Sequence, residues 1–138
     1  MADNSIIYYL IKSILYSFKI DDGTTATIAS GVNTFDISPN HIIVGEYSGK
    51  IKLLFANDAC AISHWHTGKI NNAISCNNGN IILSGGEEGV LVQWMNNLQT
   101  KTFLPRLGGA IINIVCSNDW LYTACALGNN SIVVIKYI

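Results

Sequence analysis

The strongest constraint on this chain is a strand pattern, led by a turn residue, that recurs about every forty residues. Gly49 opens Gly49-Lys50-Ile51-Lys52-Leu53-Leu54, and Gly89 opens Gly89-Val90-Leu91-Val92-Gln93-Trp94. Asn130 then opens Asn130-Ser131-Ile132-Val133-Val134-Ile135. A repeat of this length is one supersecondary unit, and such a unit cannot bury its apolar faces alone. The chain must therefore stack similar units side by side.

The segments between these landmarks read as strands. They are short, follow one another at roughly ten-residue spacing, and are separated by Gly, Asn, Asp and Ser. No amphipathic helix follows a strand, which excludes α/β architecture. Strand units at this period, one closed by a Trp, are how the blades of a WD-type β-propeller read. The predicted fold is all-β: a partial WD-repeat β-propeller, open rather than a closed ring.

The period divides the chain into four parts. Residues 1–31 are the tail of a preceding blade: two strands, Ser5–Ile11 and Leu15–Ile20, then a polar loop from Asp21 to Gly31. Residues 32–66 are blade one, with strands near Val32–Ile37, His41–Glu46, Lys50–Phe55 and Ala59–Trp65. Residues 67–105 are blade two, with strands near Ile70–Ser75, Ile81–Ser84, Val90–Trp94 and Thr100–Leu104. Residues 106–138 are an incomplete blade three, with strands near Ile111–Cys116, Trp120–Cys125 and Ser131–Tyr137. Two series of turns keep step with the period. One holds Ser38-Pro39-Asn40, Asn77-Asn78-Gly79-Asn80 and Ser117-Asn118-Asp119; the other holds Ser48-Gly49 and Glu88-Gly89. Asn, Asp and Gly tolerate the left-handed backbone that tight hairpins need. About three blades and two leading strands cannot close a ring of four to eight blades. Further blades or a partner chain must cover the open ends.

Composition narrows the function. Hydrophobic residues make up 49% and charged residues 12%, which favours a packed core over disorder. A net charge of −1 gives no electrostatic footprint for nucleic acid or an anionic membrane. Lys12, Ser13, Ser17 and Lys19 interrupt the apolar run Ile6–Ile20, which is shorter than the roughly twenty residues of a membrane span. Asp3 stands where a signal peptide would be basic. The run is expected to be buried β structure, broken at Lys12-Ser13, with no membrane role. Asn129-Asn130-Ser131 is a formal glycosylation acceptor that means nothing without a secretory signal. Cys60, Cys76, Cys116 and Cys125 show no C-x-x-C spacing. They are expected to be buried or half-buried thiols in a reducing compartment.

Two constellations stand out. In His64-Trp65-His66, alternate strand residues share a face, so two imidazoles could meet one zinc ion. No further ligand sits at a suitable spacing, and no metal or cofactor is expected. The structural reading takes His66, Ser84, Glu88 and Trp94 as one hydrogen-bonded network of the WD type, with Glu88 where Asp is usual. Val44, Ser48 and Leu54 in blade one, and Ala124 and Ile135 in blade three, stand at related positions without it. Those blades are expected to rest on packing alone. The second constellation is Phe103-Leu104-Pro105-Arg106, followed by Leu107-Gly108-Gly109. It reads either as a strand ended by Pro105 and a Gly-rich turn, or as an exposed partner contact anchored by Arg106. Asp21-Asp22 and Glu87-Glu88 are adjacent carboxylates in turns, and nothing resembles a nucleophile elbow, a P-loop or a dinucleotide fingerprint. Enzymatic chemistry is not expected.

These residues carry a resemblance. Ser63-His64-Trp65-His66, Leu83-Ser84-Gly85-Gly86-Glu87-Glu88-Gly89-Val90-Leu91-Val92-Gln93-Trp94 and Phe103-Leu104-Pro105-Arg106-Leu107-Gly108 resemble, in order and spacing, motifs of the WD repeat-containing protein 75 family. Gly49-Lys50-Ile51-Lys52-Leu53 resembles a further strand of that family, with Leu54 in place of a Trp. The match runs from about Gly45 to Ile135 and looks like a slice of the family's second propeller. The resemblance implies a nucleolar scaffold of the small-subunit processome, in its early-acting UTP-A subcomplex. It further implies early 18S pre-ribosomal RNA processing and support of RNA polymerase I transcription. Expected partners are other UTP-A proteins and, through them, pre-ribosomal RNA or snoRNA, in the nucleus and nucleolus. The rival expectation is a WD-repeat adaptor of another complex, such as the substrate receptor of a ubiquitin ligase.

Overall fold

The computed structural model describes residues 5–136. Its strands are β1 (Ile6–Ile11), β2 (Ile14–Lys19), β3 (Thr25–Ser30), β4 (Val32–Ile37), β5 (His41–Glu46), β6 (Lys50–Phe55) and β7 (Cys60–His64). They continue as β8 (Ile70–Cys76), β9 (Ile81–Gly86), β10 (Val92–Met95), β11 (Thr100–Phe103), β12 (Ile111–Cys116), β13 (Tyr122–Leu127) and β14 (Ile132–Lys136). They form four antiparallel sheets: β1-β2-β3, β4-β5-β6-β7, β8-β9-β10-β11 and β12-β13-β14. We call them the leading sheet and sheets one to three. The architecture is a partial WD β-propeller, open at both ends. No helix among the described residues is long and apolar enough to cross a membrane.

Three expectations need correction. The segment from Asp21 to Gly31 is not all loop, because it carries β3, paired with β2 from Phe18↔Thr25 to Ile14↔Ser30. Its sequence, Thr-Ala-Thr-Ile-Ala-Ser, gives a weak strand signal because β3 is an outer edge strand in which only Ile28 and Ala29 pack partly against the core. The apolar run Ile6–Ile20 is indeed two strands turning at Lys12 and Ser13, both with positive φ. It is half-buried rather than buried: Leu15 is fully enclosed, but Ile7, Ile11 and Ile20 are exposed. Cys60, expected to be at least half-buried, is also exposed.

The core lies between the sheets, in layers. Leu15 and Tyr8 of the leading sheet meet Val32, Ile42 and Val44 of sheet one. Ile43, Ile51 and Leu53 of sheet one meet Ile70, Ile82, Val92 and Trp94 of sheet two. Leu83 and Leu91 of sheet two meet Ile111, Ile114 and Cys125 of sheet three. Successive side chains on a strand point to opposite faces, so Ile42 and Ile43 enter different layers, as do Ile82 and Leu83. Only a sheet with neighbours on both sides can bury a whole strand, as sheet one does with β5 and sheet two nearly does with β9. The last strand, β14, buries one face and shows the other, with Ile132 73% and Val134 63% exposed.

Polar links tie the innermost strands together. Each of β4, β8 and β12 carries an irregular step at its second residue: Asn33, Asn71 and Ile112. Such a bulge re-aims the side chain. Asn33 donates to the Ile70 carbonyl at 2.8 Å and Asn71 to the Ile111 carbonyl at 2.9 Å. The backbone amides of Ser75 and Ile114 donate back to Asp36 and Asn72. The third bulge offers Ile112, which has no polar head to repeat the link.

Glycine is required at two kinds of place. Gly49, Gly89 and Asn130 share a left-handed backbone, with φ of 89°, 72° and 66°. A side chain on Gly49 would strike the His66 carbonyl, and one on Gly89 would come within 2.6 Å of the Gly109 carbonyl. This is the physical basis of the repeat's leading residue. Gly45 and Gly85 have ordinary backbones, but a Cβ on them would come within 2.6 Å of Thr34 and Ile111 respectively.

Substituting Gly85→Ala is therefore expected to destabilise the chain by about 1–3 kcal/mol, since the added methyl overpacks the seam between sheets two and three. Gly68→Ala, whose Cβ would have 3.8 Å of clearance from Glu87, is the control and should change little. Urea unfolding of both variants checks the contrast.

Candidate functional site

The four residues His66, Ser84, Glu88 and Trp94 come from four different segments of the chain, and the fold brings them together. His66 lies on the connection after β7, Ser84 in β9, Glu88 in the turn after β9, and Trp94 in β10. Register places β9 against β10, with Ser84 opposite Val92 and Trp94 opposite Ile82. The Trp94 indole N–H then donates to Ser84 Oγ at 2.8 Å. His66 Nε2 lies 2.8 Å from the same Oγ, and His66 Nδ1 meets Glu88 Oε1. His66, Ser84 and Trp94 are all completely buried.

The proton positions follow from donor arithmetic. Glu88 as a carboxylate can only accept, so His66 Nδ1 carries the proton. His66 Nε2 is then an acceptor, and the Ser84 hydroxyl donates to it while accepting from Trp94. This chain of donors fits a neutral imidazole. Burial pushes the His66 pKa below its ordinary value, against the opposing pull of Glu88. Glu88 Oε2 is buried and has no hydrogen-bond partner. The network thus fastens segments of sheet two in its interior, where His66, Ser84 and Trp94 are shut off from solvent. Both His66 nitrogens are taken by protein partners, Glu88 and Ser84. His64, at the end of β7, is exposed.

The equivalent places in the other sheets differ. Register puts Val44 and Leu54 of sheet one where sheet two has Ser84 and Trp94. Packing alone does not hold this sheet, however. Ser48 Oγ donates to Glu46 Oε2 at 2.6 Å, and Lys52 Nζ lies 2.5 Å from Glu46 Oε1. Burial works to raise the Glu46 pKa, but the Lys52 and Ser48 hydrogen bonds and the lysine charges hold it below the usual carboxylate value. The signal available in the sequence was Glu46 and Lys52 on adjacent strands of one hairpin, within diagonal reach. In sheet three the Ser117 hydroxyl and Asp119 carboxylate organise the turn, with Ser117 Oγ donating to Asp119 at 2.6 Å.

The segment Phe103-Leu104-Pro105-Arg106 leaves β11 and folds back over the turn after β9. The Leu104 amide donates to the Leu91 carbonyl at 3.0 Å, and the Leu107 amide to the Gly89 carbonyl at 2.9 Å. Arg106 Nη1 donates to the Glu88 carbonyl at 3.1 Å. Leu104 sinks partly into the layer between sheets two and three. Phe103, Pro105 and Arg106 remain exposed, and the Phe103 ring lies 4.7 Å from that of Trp65. The segment is therefore both a strand end and a patch with an aromatic pair and a cation at the surface. A groove of about 520 Å³ lies between the leading sheet and sheet one and is lined by Tyr8, Ile28, Ile42, Leu54, Phe55 and Cys60 among others.

Comparisons with known proteins place this geometry. Residues 3–130 match the family model of the WD repeat-containing protein 75 first beta-propeller. The expected position in a second propeller is thereby corrected to the first. The match, expected to begin near Gly45, extends back to residue 3. WD repeat-containing protein 75 of Danio rerio is 33% identical over 141 residues, covering 94% of this chain and 17% of that protein. The Homo sapiens protein of the same name is 34% identical over 138 residues, covering 88% of this chain and 17% of its own length. U3 small nucleolar RNA-associated protein 17 of Schizosaccharomyces pombe is 46% identical over 77 residues, covering 56% of this chain and 10% of that protein. The chain thus spans less than a fifth of the length of these relatives.

Ser84→Ala is expected to cost about 1–3 kcal/mol, because it strands the His66 and Trp94 nitrogens in a dry interior. Ser84→Thr keeps the hydroxyl and should cost less; urea unfolding of the pair checks this. Acid has a further effect. His66 and His41 both have folded pKa values pushed below 6.5 by burial. The unfolded chain therefore takes up their protons first, and stability is lost as pH falls through 6.5. Urea midpoints measured across that pH should fall on the acid side.

Proposed function

Since the chain belongs to the WD repeat-containing protein 75 first beta-propeller family, we propose that it serves ribosome biogenesis as a non-catalytic scaffold. Its place is the small-subunit processome, among proteins of the UTP-A subcomplex, in early 18S pre-ribosomal RNA processing and in support of RNA polymerase I transcription. It acts in the nucleus and nucleolus. The observation that carries this reading is the family match over residues 3–130, joined by a relative named for association with U3 small nucleolar RNA.

The physical character of the chain supports a scaffold. Among the described residues its buried polar groups fasten sheets, and the Ser84 hydroxyl, bonded to both His66 and Trp94, is closed to any substrate. In this reading the exposed patch of Phe103, Pro105 and Arg106, with Leu104 rooted beneath it, is a partner contact. Arginine and aromatic side chains are the usual anchors of such contacts. The apolar open faces are covered by further blades of the ring or by a partner chain. RNA is reached through partners, because a net charge of −1 provides little counterion release.

Affinity purification of the chain from its own cells tests the reading. Processome proteins and pre-ribosomal RNA or U3 snoRNA are expected in the eluate, and Arg106→Ala with Phe103→Ala should reduce their recovery while leaving the fold intact. Recovery of ubiquitin-ligase machinery in their place would favour an adaptor of another class, and recovery of neither would overturn the proposal. The isolated chain should bind RNA weakly; tight binding that persists at high salt is the contrary result.

A further inference from the structure

Three cysteines converge where sheets two and three meet. Cys76 ends β8 and Cys116 ends β12, at equivalent places in successive repeats. Their sulfurs lie 2.9 Å apart. Cys125 in β13 is buried beside them in the same apolar layer, and the Thr123 hydroxyl lies 3.3 Å from the Cys116 sulfur. In sheet one the corresponding strand end is Ile37, so the pair belongs to this seam among those described. The two thiols also line one cavity of about 230 Å³, with Ile81, Leu83, Gln93 and Trp120. Cys116 is half-buried and Cys76 is 2% exposed.

We propose that Cys76 and Cys116 form a peroxide-oxidisable dithiol whose disulfide clasps sheet two to sheet three. Closing the sulfur pair to a bond of about 2.05 Å takes roughly 1 Å of movement, within the reach of side-chain adjustment at strand ends. The cavity supplies both the access for a small oxidant and the room for that adjustment. Neighbouring inner strands fix the two backbones through Asn71 and Asn72, so the cysteines cannot drift apart.

The chemistry balances with hydrogen peroxide as the oxidant. The more accessible Cys116, as thiolate, attacks one peroxide oxygen; the O–O bond breaks, and the departing hydroxide takes up the thiol proton as water. Cys116 is then a sulfenic acid. Cys76 gives up its proton and attacks that sulfur; the S–S bond forms, the S–O bond breaks, and a second water leaves. Two thiols are oxidised by two electrons, and one peroxide is reduced to two waters. Burial first, then the Cys116 hydrogen bond and the nearby Cys116 and Asp36 charges, push the Cys76 thiol well above its ordinary pKa. Cys76 therefore rests as a thiol, and the second step is slow.

The experiment uses the full chain with Cys60→Ser, which removes the exposed thiol. After treatment with hydrogen peroxide under native conditions, free thiols should fall from three to one per chain, and dithiothreitol should restore them. Peptide mapping by mass spectrometry should find one intramolecular link joining the Cys76 and Cys116 peptides. Cys76→Ser and Cys116→Ser should each abolish that link, with circular dichroism confirming that both remain folded. A link from either cysteine to Cys125, retention of all three thiols, or oxidation only after unfolding would overturn the proposal. Because mapping is done on the parent cysteines, a variant that fails to fold leaves the outcome decidable.

Discussion

Every sheet in this molecule has two apolar faces, and no sheet can satisfy both by itself. That requirement governs the rest of the architecture. It makes sheets one and two bury nearly whole strands, and it leaves the outward face of sheet three as a row of exposed Ile and Val. It also explains why Gly45 and Gly85 carry no side chain, since the next inner strand presses against their backbones. Apolar burial supplies the attraction and is blind to register. The polar links from Asn33, Asn71, Asp36 and Asn72 supply the register, because each fits only one partner group on the adjoining strand.

The same division of labour appears within sheets. Sheet two holds its buried imidazole and indole in a chain of donors and acceptors that ends on a carboxylate. Sheet one has no such chain, and uses a buried glutamate held by a serine and a half-buried lysine. The two solutions differ in environment. A dry interior demands that each N–H be matched, whereas the buried Glu46 carboxylate is matched by the charge of Lys52, whose own side chain still reaches water. Function, on this account, lies in surfaces that the scaffold holds steady, and the interior polar groups serve that steadiness.

The seam between sheets two and three combines several features. It holds the paired cysteines, a small cavity and a Trp at positive φ, Trp120, in the turn that borders them. A bulky residue in that backbone region is held there by its surroundings, here by a turn organised around Ser117 and Asp119.

Much of this was legible in the residues. The period, the turn series and the strands of sheets one to three follow from alternation and from Gly, Asn and Ser at fixed offsets, which are local properties of the backbone. His66, Ser84, Glu88 and Trp94 could be picked out as one set because their spacing is tied to the strand period. What sequence could not disclose was anything settled by neighbours distant along the chain. Strand β3 carries one large apolar residue, Ile28, since its partner β2 provides its hydrogen bonds and solvent covers much of the rest. The exposure of Cys60, the pairing of Glu46 with Lys52 and the meeting of Cys76 with Cys116 depend on which strands lie side by side and how tightly the sheets close. The sequence by itself determined the repeating unit, because turn chemistry and side-chain alternation act over a few residues. Only the tertiary structure decided which faces are covered and which side chains meet across a seam, because those contacts form between residues that lie up to a full repeat apart.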